Sequence, residues 1–189
     1  MLFRSLAPWI LLFLIPAITM KTFADEFQSG TIEILKTRPI SNWQIVLGKF
    51  FAALSLIVIA IIPTFVYVYS VNQLGNPVGN IDYGSTIGSY LGLFLLASSY
   101  ASIGLFTSTL SKNQIVAFLL GVFIAFFFYY GFDAIADLFG SSSFTVKLFG
   151  MNEHFKSISR GVIDTRDILY FLSITIFFLF ITKQKLANE

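Results

Sequence analysis

A chain of 189 residues with 56% hydrophobic and 12% charged residues differs from a soluble domain, in which about 25% of residues are charged. The absence of cysteine excludes disulfides and thiolate metal sites, and a single histidine argues against a histidine-based metal or catalytic cluster. A net charge of +2 gives no electrostatic basis for nucleic-acid binding, so the composition predicts an all-α, polytopic membrane protein without a metal or cofactor.

Hydropathy predicts five membrane spans, each near the roughly 20 residues that a helix needs to cross the hydrocarbon core. They fall at residues 6–20, 46–71, 87–106, 114–132 and 168–182. The second is long enough to tilt or bend, and Pro63 supplies a bend where the Thr64 hydroxyl can bond a freed carbonyl. The last is short, and Asp167 and Lys183 at its ends are expected to reach the interface.

Two spans have distinctive residue patterns, one typical of helix packing and one typical of the membrane interface. The third has small residues four positions apart, which predicts close helix packing inside the bundle: Gly88/Gly92, Ala97/Ala101, Ser98/Ser102 and Gly104/Ser108. The fourth ends in five consecutive aromatic residues from Phe126 to Tyr130, which is typical of a belt at the membrane interface.

The loops 72–86 and 133–167 are predicted on the outer face. Apolar residues at helical spacing begin at Phe132, just before the second loop, and continue within it at Ile135 and Phe139, so we expect short interfacial helices there. The run from Gly140 to Ser143 predicts a flexible break between them. His154 is expected to be a surface polar residue.

The segment 21–45 between the first two spans contains a sustained polar stretch at residues 23–39. Phe23, Phe27 and Ile34 fall on one face of a helix. Gly30 interrupts this pattern, and Thr31 after it can cap a second helix.

Pro39 then stops the second helix at or before Arg38. The pattern therefore predicts two short helices that meet at Gly30 and lie at the membrane surface. An ordinary surface loop with amphipathic character explains the same pattern equally well.

Lysine and arginine are distributed unequally between the two sides. If the spans alternate, one side holds seven of these bases and the other five. The richer side has Lys21, Lys36, Arg38, Lys49, Lys112, Lys183 and Lys185, and the poorer side has Arg4, Lys147, Lys156, Arg160 and Arg166. The segment 21–45, the turn at residues 111–113 and the C-terminal tail are therefore predicted to be cytoplasmic.

The chain lacks the sequence signatures of an enzyme or a pump. No acid or histidine lies in a predicted span interior, which argues against a proton-coupled secondary transporter. Gly48-Lys49 is followed by Phe50 and is not part of a Walker A loop, and GxSxG and HExxH sequences are absent. Such a protein either forms a passive path or is driven by a partner docked on it.

Several runs resemble the type-2 ABC transporter permeases. The segment with Ser29-Gly30-Thr31, Thr37-Arg38-Pro39 and Gly48-Lys49 resembles the region after the second span of that family. The runs 74–80, 88–92, 113–118 and 154–167 resemble the gliding-motility-associated permeases in particular. Family members usually have six spans, so the resemblance implies that this chain begins at the second.

The resemblance implies the membrane subunit of an ABC transporter, of the export type, in a bacterial inner membrane. A separate ATPase chain would carry ATP and Mg²⁺, and a second permease subunit, identical or related, would complete the pathway. The polar stretch would be a coupling helix that contacts the ATPase through Glu26, Phe27, Gly30, Thr31, Glu33 and Leu35. The alternative function is a non-transporting membrane scaffold of a motility or secretion complex.

Overall fold

The computed structural model describes residues 2–75, 81–136 and 146–188, with side chains from Ser5 onward. Its main helices are α1 (Leu2–Thr19), α2 (Lys21–Ser29), α3 (Thr31–Lys36), α4 (Asn42–Ile61), α5 (Phe65–Leu74), α6 (Tyr83–Ser108), α7 (Gln114–Phe126), α8 (Phe132–Ala136), α9 (Met151–Ser159) and α10 (Thr165–Asn188). The described residues contain no β-strand. The fold is therefore all-α, as the composition predicts.

Five stretches are long and apolar enough to cross a membrane, which confirms the predicted number of spans. They are Ser5–Ser29, Asn42–Leu74, Tyr83–Ser108, Gln114–Ala136 and Thr165–Asn188. Side-chain caps start three of these helices, because Ser41, Asp82 and Asn113 each accept a backbone N–H from two or three residues further on.

Helix α6 is the centre of the bundle and packs against α1, α4, α7, α9 and α10. All the small residues that the sequence singled out in this span are buried, so the packing prediction is confirmed. A Cβ atom on Gly88 would lie 2.2 Å from the carbonyl oxygen of Ile158 in α9, and one on Gly104 would lie 2.0 Å from Thr19 Oγ1 in α1. The backbone of α9 and the Thr19 side chain of α1 thus approach α6 at distances that only glycine permits.

The second span consists of α4, a 3₁₀ turn at Ile62–Thr64 and α5. Thr64 Oγ1 donates to the carbonyl oxygen of Ile61 at 2.6 Å, so the expected bond from this hydroxyl to a helix carbonyl is present beside Pro63. Tyr90 of α6 bonds to the same turn, because its hydroxyl donates to the Thr64 carbonyl oxygen at 3.0 Å. The span has 33 residues, or about 50 Å of helix, and exceeds the roughly 30 Å thickness of a bilayer core.

The aromatic run of the fourth span forms a π-helical turn at Phe127–Gly131. Tyr129 is only 4% exposed and packs edge-on against Trp9 of α1, with ring centres 5.6 Å apart. The prediction of an interfacial belt is therefore wrong for Tyr129, because the extra residue in the π turn rotates its ring into the bundle. Phe126, Phe127 and Tyr130 are exposed.

Helix α9 confirms that the predicted outer loop 133–167 is helical in part, whereas α8 belongs to the fourth spanning stretch, Gln114–Ala136. Helix α9 buries Phe155 and Ile158, and it packs against the first turns of α6. The predicted break at Gly140–Ser143 and the apolar position Phe139 lie outside the described residues, as do residues 76–80 of the run 74–80.

Candidate functional site

The polar stretch forms an elbow, residues 21–36, made of α2, Gly30 and α3. Gly30 has φ +73°, a left-handed conformation that glycine adopts at little cost, and it ends α2 and begins α3. The prediction of two helices that meet at Gly30 is confirmed, and α3 ends at Lys36, ahead of Pro39. Only Met20 separates α1 from α2, and its backbone is itself helical, so α2 prolongs the first span.

Thr31 does not cap α3 as predicted. Gly30 occupies the capping position, and the Thr31 hydroxyl instead lies 2.9 Å from the hydroxyl of Ser29. The left-handed residue turns the chain so that Thr31 is already the first helical residue, where its side chain cannot reach back to the free N–H groups.

The two helices do not share one apolar face. Phe23 is fully buried and Phe27 is partly buried, but Ile34 is 63% exposed, so the prediction that all three lie on one face is wrong. Ile32 is buried in its place. The turn at Gly30 shifts the helical phase, so spacing counted through the turn selects the wrong residue of α3.

An ion pair ties α2 to the second span. Lys49 Nζ of α4 donates to Glu26 Oε1 at 2.6 Å and to the Thr22 carbonyl oxygen at 2.5 Å. The ammonium group also lies 4.7 Å from the centre of the Phe23 ring, where the electron-rich face attracts a cation. The side chains of Lys49 and Glu26 are 20% and 28% exposed, so this contact is partly sheltered from solvent.

A second polar contact ties α2 to the fourth span. Gln114, the first residue of α7, donates its side-chain amide to Asp25 Oδ1. Asp25 and Glu26 are adjacent, so their side chains leave α2 about 100° apart. Helix α2 is therefore held from two directions by two different spans.

A cleft of about 440 Å³ opens between the elbow and the turn that precedes α7. Its lining residues are Phe27, Gly30, Ile32, Glu33, Lys36, Thr109, Leu110, Ser111 and Lys112. Among the residues proposed as partner contacts, Gly30, Thr31 and Glu33 are exposed, Phe27 and Leu35 are half-buried, and Glu26 pairs with Lys49.

The base-rich segments meet at the same end of the bundle, here called the elbow end. The contact of Asp25 with Gln114 brings the elbow to the turn at residues 111–113. Trp43, at the start of α4, packs against Phe180 of α10 with ring centres 6.4 Å apart, and Lys183 Nζ lies 5.9 Å from the Trp43 ring. This placement agrees with the alternation of spans on which the charge count depends.

At the opposite end, the far end, His154 is not the surface residue that the sequence predicts. Its Nδ1 lies 2.7 Å from Asp167 Oδ1, and its Nε2 lies 2.8 Å from the carbonyl oxygen of Leu148. The imidazole stacks on the Tyr170 ring with centres 4.0 Å apart. Asp167 was expected to reach the interface, but the side chains of His154 and Asp167 are only 12% and 9% exposed.

Sequence reasoning missed Lys49 and Gln114 as parts of the site. The sequence around Lys49 could have indicated its role, because Lys49 is a lone charge in an apolar run, and such a charge in a span requires a polar partner. Nothing in the sequence around Gln114 indicates its role, since a glutamine in the first turn of a helix is common and its partner is 89 positions away.

The fold and site define a polytopic helical membrane protein with a polar elbow between its first two spans. Residues 5–178 match the family described as ABC-2 family transporter protein, and this chain belongs to that family. It is therefore a membrane permease component of an ABC transporter, a noncatalytic part of such a complex. Comparison with curated proteins and with solved structures gave no match.

Proposed function

We propose that the chain is the membrane subunit of an ATP-driven exporter and that a separate ATPase chain docks on its elbow. The observation that supports this most directly is the exposed bend at Gly30, with Thr31 and Glu33 beside the cleft. The chain has no Walker A loop, so ATP and Mg²⁺ are bound by the partner.

The remaining parts of the proposal follow from the sequence resemblance and the charge count. The elbow end faces the cytoplasm of a bacterium, because it carries the larger share of lysine and arginine. A second permease chain, identical or related, completes the pathway. The run 154–167 supports a link to gliding motility.

Docking is tested with substitutions on the exposed side of the elbow. Glu33→Lys reverses a charge at the rim of the cleft, and Gly30→Pro forbids the left-handed bend because proline fixes φ near −65°. Both variants should insert in the membrane at wild-type levels but retain about tenfold less ATPase on purification, which corresponds to about 1.4 kcal/mol.

The matched control is Glu153→Lys on α9, since this acid lies at the far end and pairs only with Lys156 among its described neighbours. The control should bind the ATPase as the wild type does. Unchanged binding by both elbow variants contradicts the proposal. Recovery of envelope proteins alone, without an ATPase, supports the scaffold function instead.

A further inference from the structure

We infer that Glu26–Lys49 and Asp25–Gln114, the clamp pairs, are positioning contacts that make the elbow move together with the second and fourth spans. The inference rests on the proposed function, because it identifies the residues that carry a partner's displacement into the membrane. It also changes the role of Glu26, which belongs to this linkage and not to the docking surface.

Glu26 is not free to bind a partner. Its Oε1 accepts from Lys49, and its Oε2 is buried without a hydrogen-bond partner among the described residues. A partner that bound this carboxylate would compete with Lys49 for Oε1. Glu33, in contrast, is exposed at the cleft.

Lys49 contacts a full turn of α2, through several groups and not through one atom alone. It contacts the Thr22 carbonyl oxygen, the Phe23 ring and the Glu26 carboxylate, which together cover five consecutive residues. Phe23 is fully buried, so the turn is also anchored by packing. A displacement of α2 along or away from the membrane therefore pulls on α4.

Asp25 extends the linkage to α7. The Asp25 side chain, which contacts Gln114, points away from α2 in a different direction from the Glu26 side chain. The two pairs together therefore constrain the rotation of α2 as well as its position. With either pair alone, these polar contacts would join α2 to only one of the two spans.

The two members of the ion pair are not equivalent. Lys49→Met leaves a sheltered carboxylate without any compensating charge, whereas Glu26→Gln leaves Lys49 with the Thr22 carbonyl oxygen and the Phe23 ring. We therefore expect Lys49→Met to be the more severe change. Adding Glu26→Gln to Lys49→Met should restore part of the loss, because the uncompensated charge is removed.

The test separates binding of the ATPase from movement of the spans. The complex of the permease with the ATPase that co-purifies with the wild type is placed in nanodiscs. Spin labels are attached at Tyr69→Cys and Val162→Cys, two exposed far-end positions in a chain that has no native cysteine. The distance between the labels is measured with and without ATP, and the Kd for the ATPase is measured separately.

In the wild type, ATP should shift the label distance. Lys49→Met should reduce the shifted fraction about tenfold, equivalent to about 1.4 kcal/mol, while the Kd changes by less than about twofold. The double variant should regain part of the shift, which a variant that simply misfolds would not do. The control Lys156→Met, which breaks a 2.8 Å ion pair on α9, should alter neither quantity.

Three results overturn the inference. Lys49→Met could weaken ATPase binding tenfold and leave the shift intact in the bound complex, which would make the pair part of the docking surface. It could leave both quantities unchanged, or the double variant could be no better than the single one. A fourth result would contradict the proposed function itself. In that case the wild-type permease binds the ATPase, but ATP does not change the distance between the labels.

Discussion

At the scale of single residues, His154 connects three segments at the far end of the bundle. It bonds Asp167 of α10 and the carbonyl oxygen of Leu148, and it belongs itself to α9. Asp167 Oδ2 is already buried without a partner among the described residues, so His154 is the contact that compensates this carboxylate. His154→Ala should therefore destabilise the protein by about 3 kcal/mol, measured as a lower melting temperature of the purified permease.

A double-mutant cycle separates this contact from general damage. Asp167→Asn removes the charge that His154 compensates, so His154→Ala should cost less in that background than in the wild type. Glu153→Gln breaks a more exposed pair on the same helix and should change the melting temperature little. Equal costs of His154→Ala in both backgrounds would show that the two side chains do not act together.

At the scale of helices, the contact of α6 with α9 depends on the absence of a side chain at Gly88. Its added Cβ would meet the carbonyl oxygen of Ile158, a backbone atom that can move only if α9 moves. Gly88→Ala should cost about 1–3 kcal/mol, the range for overpacking a well-packed interior, and should lower the melting temperature.

Gly48→Ala is the matched control, because nothing lies within 4 Å of a Cβ at this helical position in α4. It should be neutral or stabilising by up to about 1 kcal/mol, since alanine favours a helix over glycine. If Gly88→Ala proves as harmless as Gly48→Ala, α9 does not pack against α6 as closely as described.

The elbow provides a test of backbone strain without a steric clash. Gly30 has a left-handed backbone and no atom within 4 Å of an added Cβ, so Gly30→Ala introduces only the conformational cost, about 1–2 kcal/mol. Gly30→Asn should cost less, because asparagine tolerates this conformation better than other residues. Gly30→Ala should therefore weaken binding of the ATPase more than Gly30→Asn does. The reverse order would contradict a role for the bend in docking.

Helices were predictable where one local rule decided the structure. The spans follow from runs of apolar residues, and the interruption of the second helix at Pro63 follows from the missing N–H group of proline. The single apolar face that included Ile34 and the belt position of Tyr129 were predicted wrongly, because a left-handed residue and a π turn each changed the helical phase. The clamp pairs depend on which spans become neighbours in space, which the local pattern does not contain.

At the scale of the whole molecule, the proposed function requires the elbow and the loop after α9 to lie on opposite sides of the membrane. Five spans separate six regions, four connections and two termini, and the structure brings the elbow, the turn before α7 and the end of α10 to one end. The loop between α9 and α10 lies at the other end, with exposed Val162 as a convenient position for labelling. The larger share of basic residues predicts that the elbow end is cytoplasmic.

This orientation can be measured with single cysteines, because the chain has none of its own. In spheroplasts treated with a membrane-impermeant maleimide, Val162→Cys should react and Gln28→Cys, exposed on α2, should react only after the membrane is opened. An ATPase that uses cellular ATP must bind on the cytoplasmic side. Reaction of Gln28→Cys from outside would therefore rule out docking on the elbow, whatever contacts the elbow makes within the chain.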